Sequence, residues 1–299
     1  MTRHFLTLND ISPDEAWALI NRAIELKAMV KGGEIYEPLK NKTLSMIFEK
    51  SSTRTRVSFE TGMTQFGGHA LFLSSRDTQL GRGEPVADTA RVLSQMVDGI
   101  MIRNDSQAQM EEFASFSTVP VINALSDLYH PCQLLADMQT WLEVSGDFRG
   151  KTAAWIGDGN NVANSFINAA KLFGFTLRVC TPKGYEPDAS TVAAAGDSVV
   201  FIDDPKGVAE GCDLIVTDTW ISMGEEDGKA QKIEDFTGFI VDNETMGRAN
   251  NDAVFMHCLP AYREYEVSTE VFEGPQSVVF QEAGNRLHAQ KALLELLLK

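Results

Sequence analysis

The sequence predicts an α/β fold with two doubly wound parallel sheets, one in each half of the chain. Two observations support this fold class. The 299 residues suffice for two domains of roughly 100–200 residues each. Short apolar runs also alternate with helical patterns along most of the chain. This alternation is typical of strands joined by crossover helices, which produce parallel sheets.

The first predicted helix spans residues 13–31. Ser12, Pro13 and Glu15 form a capping box with proline in the first turn, and Gly32 and Gly33 end the helix. The elements predicted next are strand 43–48, helix 53–66, strand 70–73, helix 86–97, strand 100–103, helix 107–116, strand 119–123 and a helix from 131 to about 144.

The polar stretch 146–151 separates these elements from a second series. That series comprises strand 152–156, helix 161–173, strands 177–180, 199–202, 214–217 and 254–256, and a last helix from about 282 to 298. We therefore expect one domain at 1–146 and another at 147–281, with the last helix, about 282–299, joined to the first domain.

The composition restricts partners and location. A formal net charge of −16 and a pI near 4.7 disfavour binding to nucleic acid and to anionic membranes. No apolar run approaches the ~20 residues of a membrane-spanning helix. The four cysteines lie far apart without a C-x-x-C pair. We expect a cytoplasmic protein without disulfides.

The strongest local signal is the run Ser51-Ser52-Thr53-Arg54-Thr55-Arg56, which follows a predicted strand and opens a predicted helix. The N–H groups and the positive dipole end of a helix N-terminus bind anions. Ser52, Thr53 and Thr55 add hydroxyl donors, and Arg54 adds a forked guanidinium. We interpret the run as a phosphate site; the alternative is a helix cap followed by two arginines in surface ion pairs.

Two further segments reach the same predicted sheet edge. Arg103 ends strand 100–103, so its charge converges with the first site. In His130-Pro131-Cys132-Gln133, the proline suits the first helical turn and places His130 at the cap. A histidine beside the positive end of a helix stays neutral and can donate to a carbonyl oxygen, and Gln133 can bind an adjacent amide. Taken alone, either segment is as readily structural.

The second half offers the turn Gly157-Asp158-Gly159-Asn160-Asn161-Val162 between a strand and a helix. Val162 stands where a dinucleotide motif needs its third glycine, which disfavours that ligand. Asn161 carries an acceptor and donors that suit the carboxylate or ammonium of an amino acid; simple N-capping is the alternative.

Asp218 and Cys258 also follow predicted strands. A carboxylate at Asp218 would seat a cationic group. Cys258 has several open roles: a nucleophile, a metal ligand, a proton acceptor or an inert thiol.

Together these segments resemble the aspartate/ornithine transcarbamylase family over essentially the whole chain. The matching motifs are Ser52-Thr53-Arg54-Thr55-Arg56, Gln79-Leu80-Gly81, Arg103, His130-Pro131-x-Gln133, Gly157-Asp158-x-Asn160-Asn161, Asp218-x-Trp220-x-Ser222-Met223-Gly224, His257-Cys258-Leu259-Pro260 and Glu282-x-x-Asn285-Arg286. The resemblance implies transfer of the carbamoyl group of carbamoyl phosphate to the δ-amine of L-ornithine, which gives L-citrulline and phosphate. This reaction belongs to arginine metabolism; arginine biosynthesis is one expected role, and a catabolic role is the alternative.

The resemblance also implies where the substrates bind. Domain 1–146 would bind carbamoyl phosphate and domain 147–281 ornithine, with the active site in the cleft between them. The implied carbamoyl phosphate ligands are Ser52, Thr53, Arg54, Thr55, Gln79, Arg103, His130, Gln133, Cys258, Leu259 and Arg286. The implied ornithine ligands are Asn161, Asp218, Ser222 and Met223. Cys258, Arg103 and His130 would be catalytic, without metal or cofactor, in a homotrimer or a multiple of trimers.

Several alternatives remain at this stage. The leaving phosphate, instead of Cys258, could accept the proton of the δ-ammonium. Ala261-Tyr262-Arg263 departs from the pattern of many family members, so the acceptor could be another amine. A non-catalytic homologue, or a metal site made of His130, His257 and Cys258, would also fit parts of the sequence.

Overall fold

The computed structural model describes residues 2–74, 83–221 and 228–299. The chain forms two compact units by the density of its internal contacts. The first comprises Met1–Gln139 and Gly284–Lys299, and the second comprises Thr140–Ala283. Within the described residues, none of the helices combines the length and apolar composition that crossing a membrane requires.

The first unit contains a four-stranded parallel sheet in the order β2-β1-β3-β4. Its strands are β1 (Thr43–Phe48), β2 (His69–Ser74), β3 (Gly99–Arg103) and β4 (Val121–Leu125). Its helices are α1 (Pro13–Lys31), α2 (Thr53–Gln65), α3 (Val86–Leu93), α4 (Gln107–Phe116), the start of α5 (Pro131–Ser145) and most of α11 (Val279–Leu298). The central strands β1 and β3 are almost fully buried, as expected for strands covered on both faces.

The second unit contains a five-stranded parallel sheet in the order β7-β6-β5-β8-β9. Its strands are β5 (Thr152–Ile156), β6 (Thr176–Cys180), β7 (Val199–Phe201), β8 (Leu214–Thr217) and β9 (Val254–His257). Its helices are α6 (Asn161–Phe173), α7 (Ala189–Ala195), α8 (Lys229–Asp235), α9 (Asn243–Arg248) and α10 (Thr269–Phe272). The prediction of two parallel α/β sheets is therefore confirmed.

Three predicted elements differ from the observed ones by more than one residue. Helix α11 begins at Val279 instead of about residue 282, and the other two differences have local reasons. Strand β4 begins at Val121 instead of residue 119, because Pro120 has no N–H to give to the ladder. Helix α3 ends at Leu93, four residues before its predicted end, where the Ser94 hydroxyl donates to the carbonyl of Ala90 at 2.6 Å. The four short helices α7 to α10 were not predicted, since none is long enough to show a clear apolar period.

Candidate active site

The strand order places a topological switch point in each unit, where neighbouring strands lead to opposite sides of the sheet. In the first unit this point lies between β1 and β3, which are paired with Phe48 opposite Arg103. Ligands of open α/β sheets bind beside the carboxyl ends of such strands. The Ser52–Thr55 turn follows β1 and Arg103 ends β3, so both predicted anion-binding groups lie at the switch point.

Ser52 is the N-cap of α2. Its hydroxyl accepts from the backbone N–H of Thr55 at 3.3 Å and donates to the Thr55 hydroxyl at 3.1 Å. Thr55 is fully buried, Arg54 is half-buried and Thr53 is exposed. The turn therefore presents a partly open set of donors at the start of a 13-residue helix.

Arg286 joins this turn to the His130–Gln133 segment. Its guanidinium donates to the Thr55 hydroxyl at 3.2 Å and to the side-chain oxygen of Gln133 at 2.6 Å. The Gln133 amide nitrogen in turn donates to Asp137 at 2.8 Å. Arg286 is only 2% exposed, so its charge is placed inside the unit beside the predicted phosphate site.

His130 lies in a strongly cationic environment. Its pKa is well below the usual range because the ring is buried and because Arg286, Arg103 and Arg54 lie nearby. His130 is therefore neutral at pH 7. A neutral imidazole can donate to an uncharged carbonyl oxygen, which is the chemistry that the sequence predicts for this residue.

In the second unit the switch point lies between β5 and β8, which pair with Trp155 opposite Val216. The Gly157–Asn160 turn follows β5, and Asp218 follows β8. Asn160 caps α6: its side-chain oxygen accepts from the N–H groups of Val162 at 2.9 Å and Ala163 at 3.1 Å. Its side-chain nitrogen donates to Asp218 at 2.8 Å, so a hydrogen bond crosses the switch point.

Asp218 also contacts the thiol that follows β9. The Cys258 Sγ donates to Asp218 Oδ1 at 3.0 Å, and the Thr219 N–H donates to the same oxygen at 2.7 Å. Asp218 is 5% exposed, whereas Cys258 is partly exposed. The structure thus brings together a buried carboxylate and an accessible thiol, two groups that the sequence singled out separately.

His257 completes a grouping in which Asp218, His257 and Cys258 each place one donor atom within 4.8 Å of the others. Both ring nitrogens of His257 already have protein partners. Nδ1 accepts from the Leu259 N–H at 2.9 Å, and Nε2 lies 3.2 Å from the buried carboxylate of Glu266. His257 therefore orients the loop that carries Cys258, and its hydrogen bonds disfavour a role as metal ligand.

The remaining predicted ligands divide into two groups. Asn161 begins α6 and Leu259 follows Cys258 with a positive φ of 60°, which is uncommon for a residue other than glycine. Gln79, Ser222 and Met223 lie outside the described residues.

Asn160 is the clearest site residue that the sequence interpretation passed over. The sequence carried a signal, because two asparagines open the same helix and only one of them can be the cap. The signal was ambiguous, since a cap needs only the side-chain oxygen and nothing in the sequence tells where the nitrogen points.

The fold and these sites define a class of protein. It has two α/β units, one with an arginine-rich site suited to binding an anion and the other with a paired carboxylate and thiol. Two family models match nearly the whole chain. Residues 3–143 match the carbamoyl-P binding domain of aspartate/ornithine carbamoyltransferase, and residues 149–297 match the Asp/Orn binding domain of that family.

Individual relatives agree with the family models. The chain is 60% identical to an ornithine carbamoyltransferase of Chromohalobacter salexigens over 99% of its own length and 98% of the relative. It is 56% identical to an anabolic ornithine carbamoyltransferase of Pseudomonas aeruginosa, covering 99% and 97%. The solved ornithine carbamoyltransferase of Pyrococcus furiosus superposes with a TM-score of 0.94 at 46% identity, covering 99% and 97%. The chain belongs to the aspartate/ornithine carbamoyltransferase family.

Proposed function

We propose that this protein is an ornithine carbamoyltransferase of arginine biosynthesis. It transfers the carbamoyl group of carbamoyl phosphate to the δ-amine of L-ornithine and releases L-citrulline and phosphate. Relatives named ornithine carbamoyltransferase, at 55–60% identity over almost the full chain, support this function, and two of them are named as anabolic. The single structural observation that carries it is the buried Asp218 bonded to Cys258, since a reactive amine needs a group that accepts its proton.

In this proposal the first unit binds carbamoyl phosphate. Ser52, Thr53, Arg54 and Thr55 hold the phosphate, and Arg103 spans the phosphate and the carbonyl oxygen. His130 donates to that oxygen as negative charge develops on it, and Arg286 adds a buried cation beside the pocket. Arg286 and Asp137 hold the Gln133 amide on both sides, which orients it toward the carbamoyl nitrogen.

The second unit holds the amino acid. Asn161 binds its polar α-end, together with Ser222 and Met223, and Asp218 seats the δ-ammonium. The solution pKa of such an ammonium is near ~10, so it must lose a proton before it attacks. Asp218 and Cys258 are positioned to take that proton, while Leu259 and Cys258 face both substrates. Transfer needs only positioning and charge stabilisation because carbamoyl phosphate is already activated.

Citrulline formation tests the proposal. Purified protein is given carbamoyl phosphate with equal concentrations of ornithine, putrescine, N-acetylornithine or aspartate in parallel. We expect strong preference for ornithine. Preference for another acceptor would retain the carbamoyl phosphate site and overturn the assignment of Asn161, Asp218, Ser222 and Met223. Absence of product with every acceptor would overturn the enzyme assignment.

The proposal includes a homotrimer in which Gln79 of a neighbouring copy completes the phosphate pocket. Exposed apolar side chains on one sheet edge and on the neighbouring helix support self-association. Edge strand β2 exposes Leu71 at 40% and Phe72 at 37%, and Val57 on the adjacent α2 is 55% exposed. An edge strand with exposed apolar side chains is a typical association surface.

The four cysteines are free thiols, which supports the proposed cytoplasmic location.

A further inference from the structure

We propose that Asn160 is a positioning residue that fixes the carboxylate of Asp218 and, through it, the thiol of Cys258. The inference adds a residue to the proposed ornithine carbamoyltransferase site. Its test by enzyme kinetics rests on that proposed function. It starts from the two ends of one amide: the oxygen of Asn160 caps α6, while the nitrogen donates to Asp218 at 2.8 Å.

The cap alone does not account for asparagine at this position. Serine and aspartate cap helices about as well as asparagine, because a cap requires only a side-chain oxygen. Asparagine is the one good cap residue that also carries two N–H donors. Here that extra donor faces a carboxylate that is 5% exposed. A buried carboxylate depends on such donors, since each one replaces a lost contact with water.

Among the residues that the structure describes, three groups donate to the Asp218 carboxylate and so orient it. Oδ1 accepts from the Thr219 N–H at 2.7 Å and from the Cys258 thiol at 3.0 Å, and Oδ2 accepts from Asn160. Removing the Asn160 donor leaves Oδ2 buried without this partner, so the carboxylate becomes free to rotate or to shift Oδ1 away from its present position. Either change weakens the contact between Oδ1 and the Cys258 thiol.

The turn that carries Asn160 is itself fixed in place. Asp158, two residues earlier, accepts from Lys232 at 2.7 Å, and its carbonyl accepts from the Trp155 indole at 2.9 Å. The side chains of Asp158 and Lys232 are only 13% and 14% exposed. Asn160 is thus held both by its own helix and by a shielded ion pair, which makes it a rigid support for Asp218.

Two substitutions separate the donor from the cap. Asn160→Asp keeps the shape and the cap but places a second carboxylate against Asp218. Asn160→Ser keeps a cap but is too short to reach Asp218. The matched control is Asp188→Asn. Asp188 caps α7 by accepting from the Thr191 N–H at 2.8 Å. This substitution also exchanges a carboxylate and an amide at a helix cap, but in the opposite direction and at a different helix.

The first readout is the pH dependence of Cys258 alkylation by iodoacetamide, which does not depend on any enzyme activity. The other three cysteines are buried, so the reaction reports mainly on Cys258. In the described part of the chain, the groups facing Asp218 are Asn160, the Thr219 N–H, Cys258 and, within 4.8 Å, His257. A second carboxylate disfavours the thiolate, so in Asn160→Asp we expect the midpoint to rise by about one pH unit or more. Asn160→Ser should show a smaller rise, and Asp188→Asn none.

The second readout is citrulline formation. In Asn160→Asp we expect kcat/KM for ornithine to fall by about 10–100-fold, the range for losing a hydrogen bond to a charged group. Carbamoyl phosphate binding should change much less, because most of its proposed ligands lie in the first unit. The acid limb of its pH profile should also move to higher pH. Alkylation profiles in both Asn160 variants that match the wild type would overturn the inference and reduce Asn160 to a cap. Wild-type protein that makes no citrulline would instead overturn the proposed function, while the alkylation data still decide the role of Asn160.

Discussion

At the scale of single residues, the turn and helix start that form the first anion-binding segment carry two arginines in contrasting environments. Arg54 is half-buried and lies close enough to His130 to lower its pKa. Arg56, two residues later, is exposed, pairs with Glu60 at 2.9 Å and lies over the ring of Phe72 at 3.8 Å. The sequence interpretation named only Arg54 as a ligand, and the structure gives Arg56 other partners.

This contrast supports a paired prediction. Arg54→Ala should weaken carbamoyl phosphate binding by about 10–100-fold, since it removes a charge-assisted contact to the phosphate. Arg56→Ala should leave the affinity within about twofold, because an exposed ion pair is worth little. Calorimetric titration with carbamoyl phosphate measures both, and thermal unfolding checks that each variant is folded. Equal affinities in the two variants would remove Arg54 from the site.

At the scale of elements, local signals predicted the long helices and the buried strands well. Helices α1 and α6 begin and end where caps and glycines in the sequence place them, from Ser12 to Gly32 and from Asn160 to Gly174. Strand β4 was displaced because the apolar pattern at Val119 continues through a proline. Sequence patterns report side-chain polarity, whereas the register of a strand depends on N–H groups that a partner strand must pair.

The turn after β5 gives a prediction at this scale. Gly159 N–H donates to the carbonyl of Tyr185 at 2.8 Å, and a Cβ on Gly159 would lie 2.5 Å from that oxygen and also against the backbone of Glu186 and Pro187. In Gly159→Ala the backbone of this turn or of residues 185–187 must therefore shift to make room for the Cβ. We expect a loss of about 2–4 kcal/mol in unfolding free energy. Gly247→Ala in α9 meets nothing within 4 Å and should be neutral or slightly stabilising. Denaturant unfolding distinguishes them; equal stability of the two variants would show that the turn can move freely.

The packing of α11 against α2 leads to a pH-dependent prediction. Lys291 lies on α11, is 3% exposed, donates to Gln65 at 2.8 Å and lies 4.6 Å from the centre of the Phe66 ring. Burial lowers its pKa to about 8, against a smaller opposing effect of Glu295. The unfolded chain therefore binds more protons between pH 8 and about 10.5, so this lysine destabilises the fold below pH 8 and ceases to do so as the pH rises.

The test compares Lys291→Met with the wild type across that range. At ~1.4 kcal/mol per pKa unit, the stability advantage of the variant should shrink by about 3 kcal/mol between pH 8 and pH 10.5. Urea unfolding at several pH values gives the unfolding free energy of each protein. Subtracting the wild-type value from the variant's value at each pH cancels the titration of the groups that both proteins share. A difference that does not change with pH would show that Lys291 titrates normally.

At the scale of the whole molecule, residues far apart in sequence meet in ways that motifs alone do not reveal. Arg286 comes from the last helix, 231 residues after Thr55 and 153 after Gln133, yet it bonds both. The resemblance placed Arg286 near carbamoyl phosphate, but its contacts with Thr55 and Gln133 are visible only in the folded structure. Likewise, nothing in the sequence shows that Asn160 and Asp218 are bonded, because this depends on which strands become neighbours at a switch point.

The proposed trimer leads to the prediction that concerns the largest scale. Both sheets end in an edge strand with an exposed phenylalanine: Phe72 on β2 is 37% exposed and Phe201 on β7 is 45% exposed. Phe72 is continuous with exposed Leu71 and with Val57 on α2, and Arg56 covers one side of its ring. In an interface on this face, a glutamate at Phe72 could pair with Arg56, but both charges would then be removed from water among apolar side chains, which is costly. The same charge at Phe201 would face water.

Light scattering of the purified chain should therefore give a mass of about 99 kDa, three times the 32.9 kDa of one copy. Phe72→Glu should shift the mass toward one copy and reduce citrulline formation, since Gln79 of the neighbour would no longer complete the phosphate pocket. Phe201→Glu should retain both the mass and the activity. If Phe72→Glu stayed trimeric, the interface would have to lie on another face. If it became monomeric but kept full activity, each copy would bind carbamoyl phosphate with its own residues, and Gln79 would lose its proposed role.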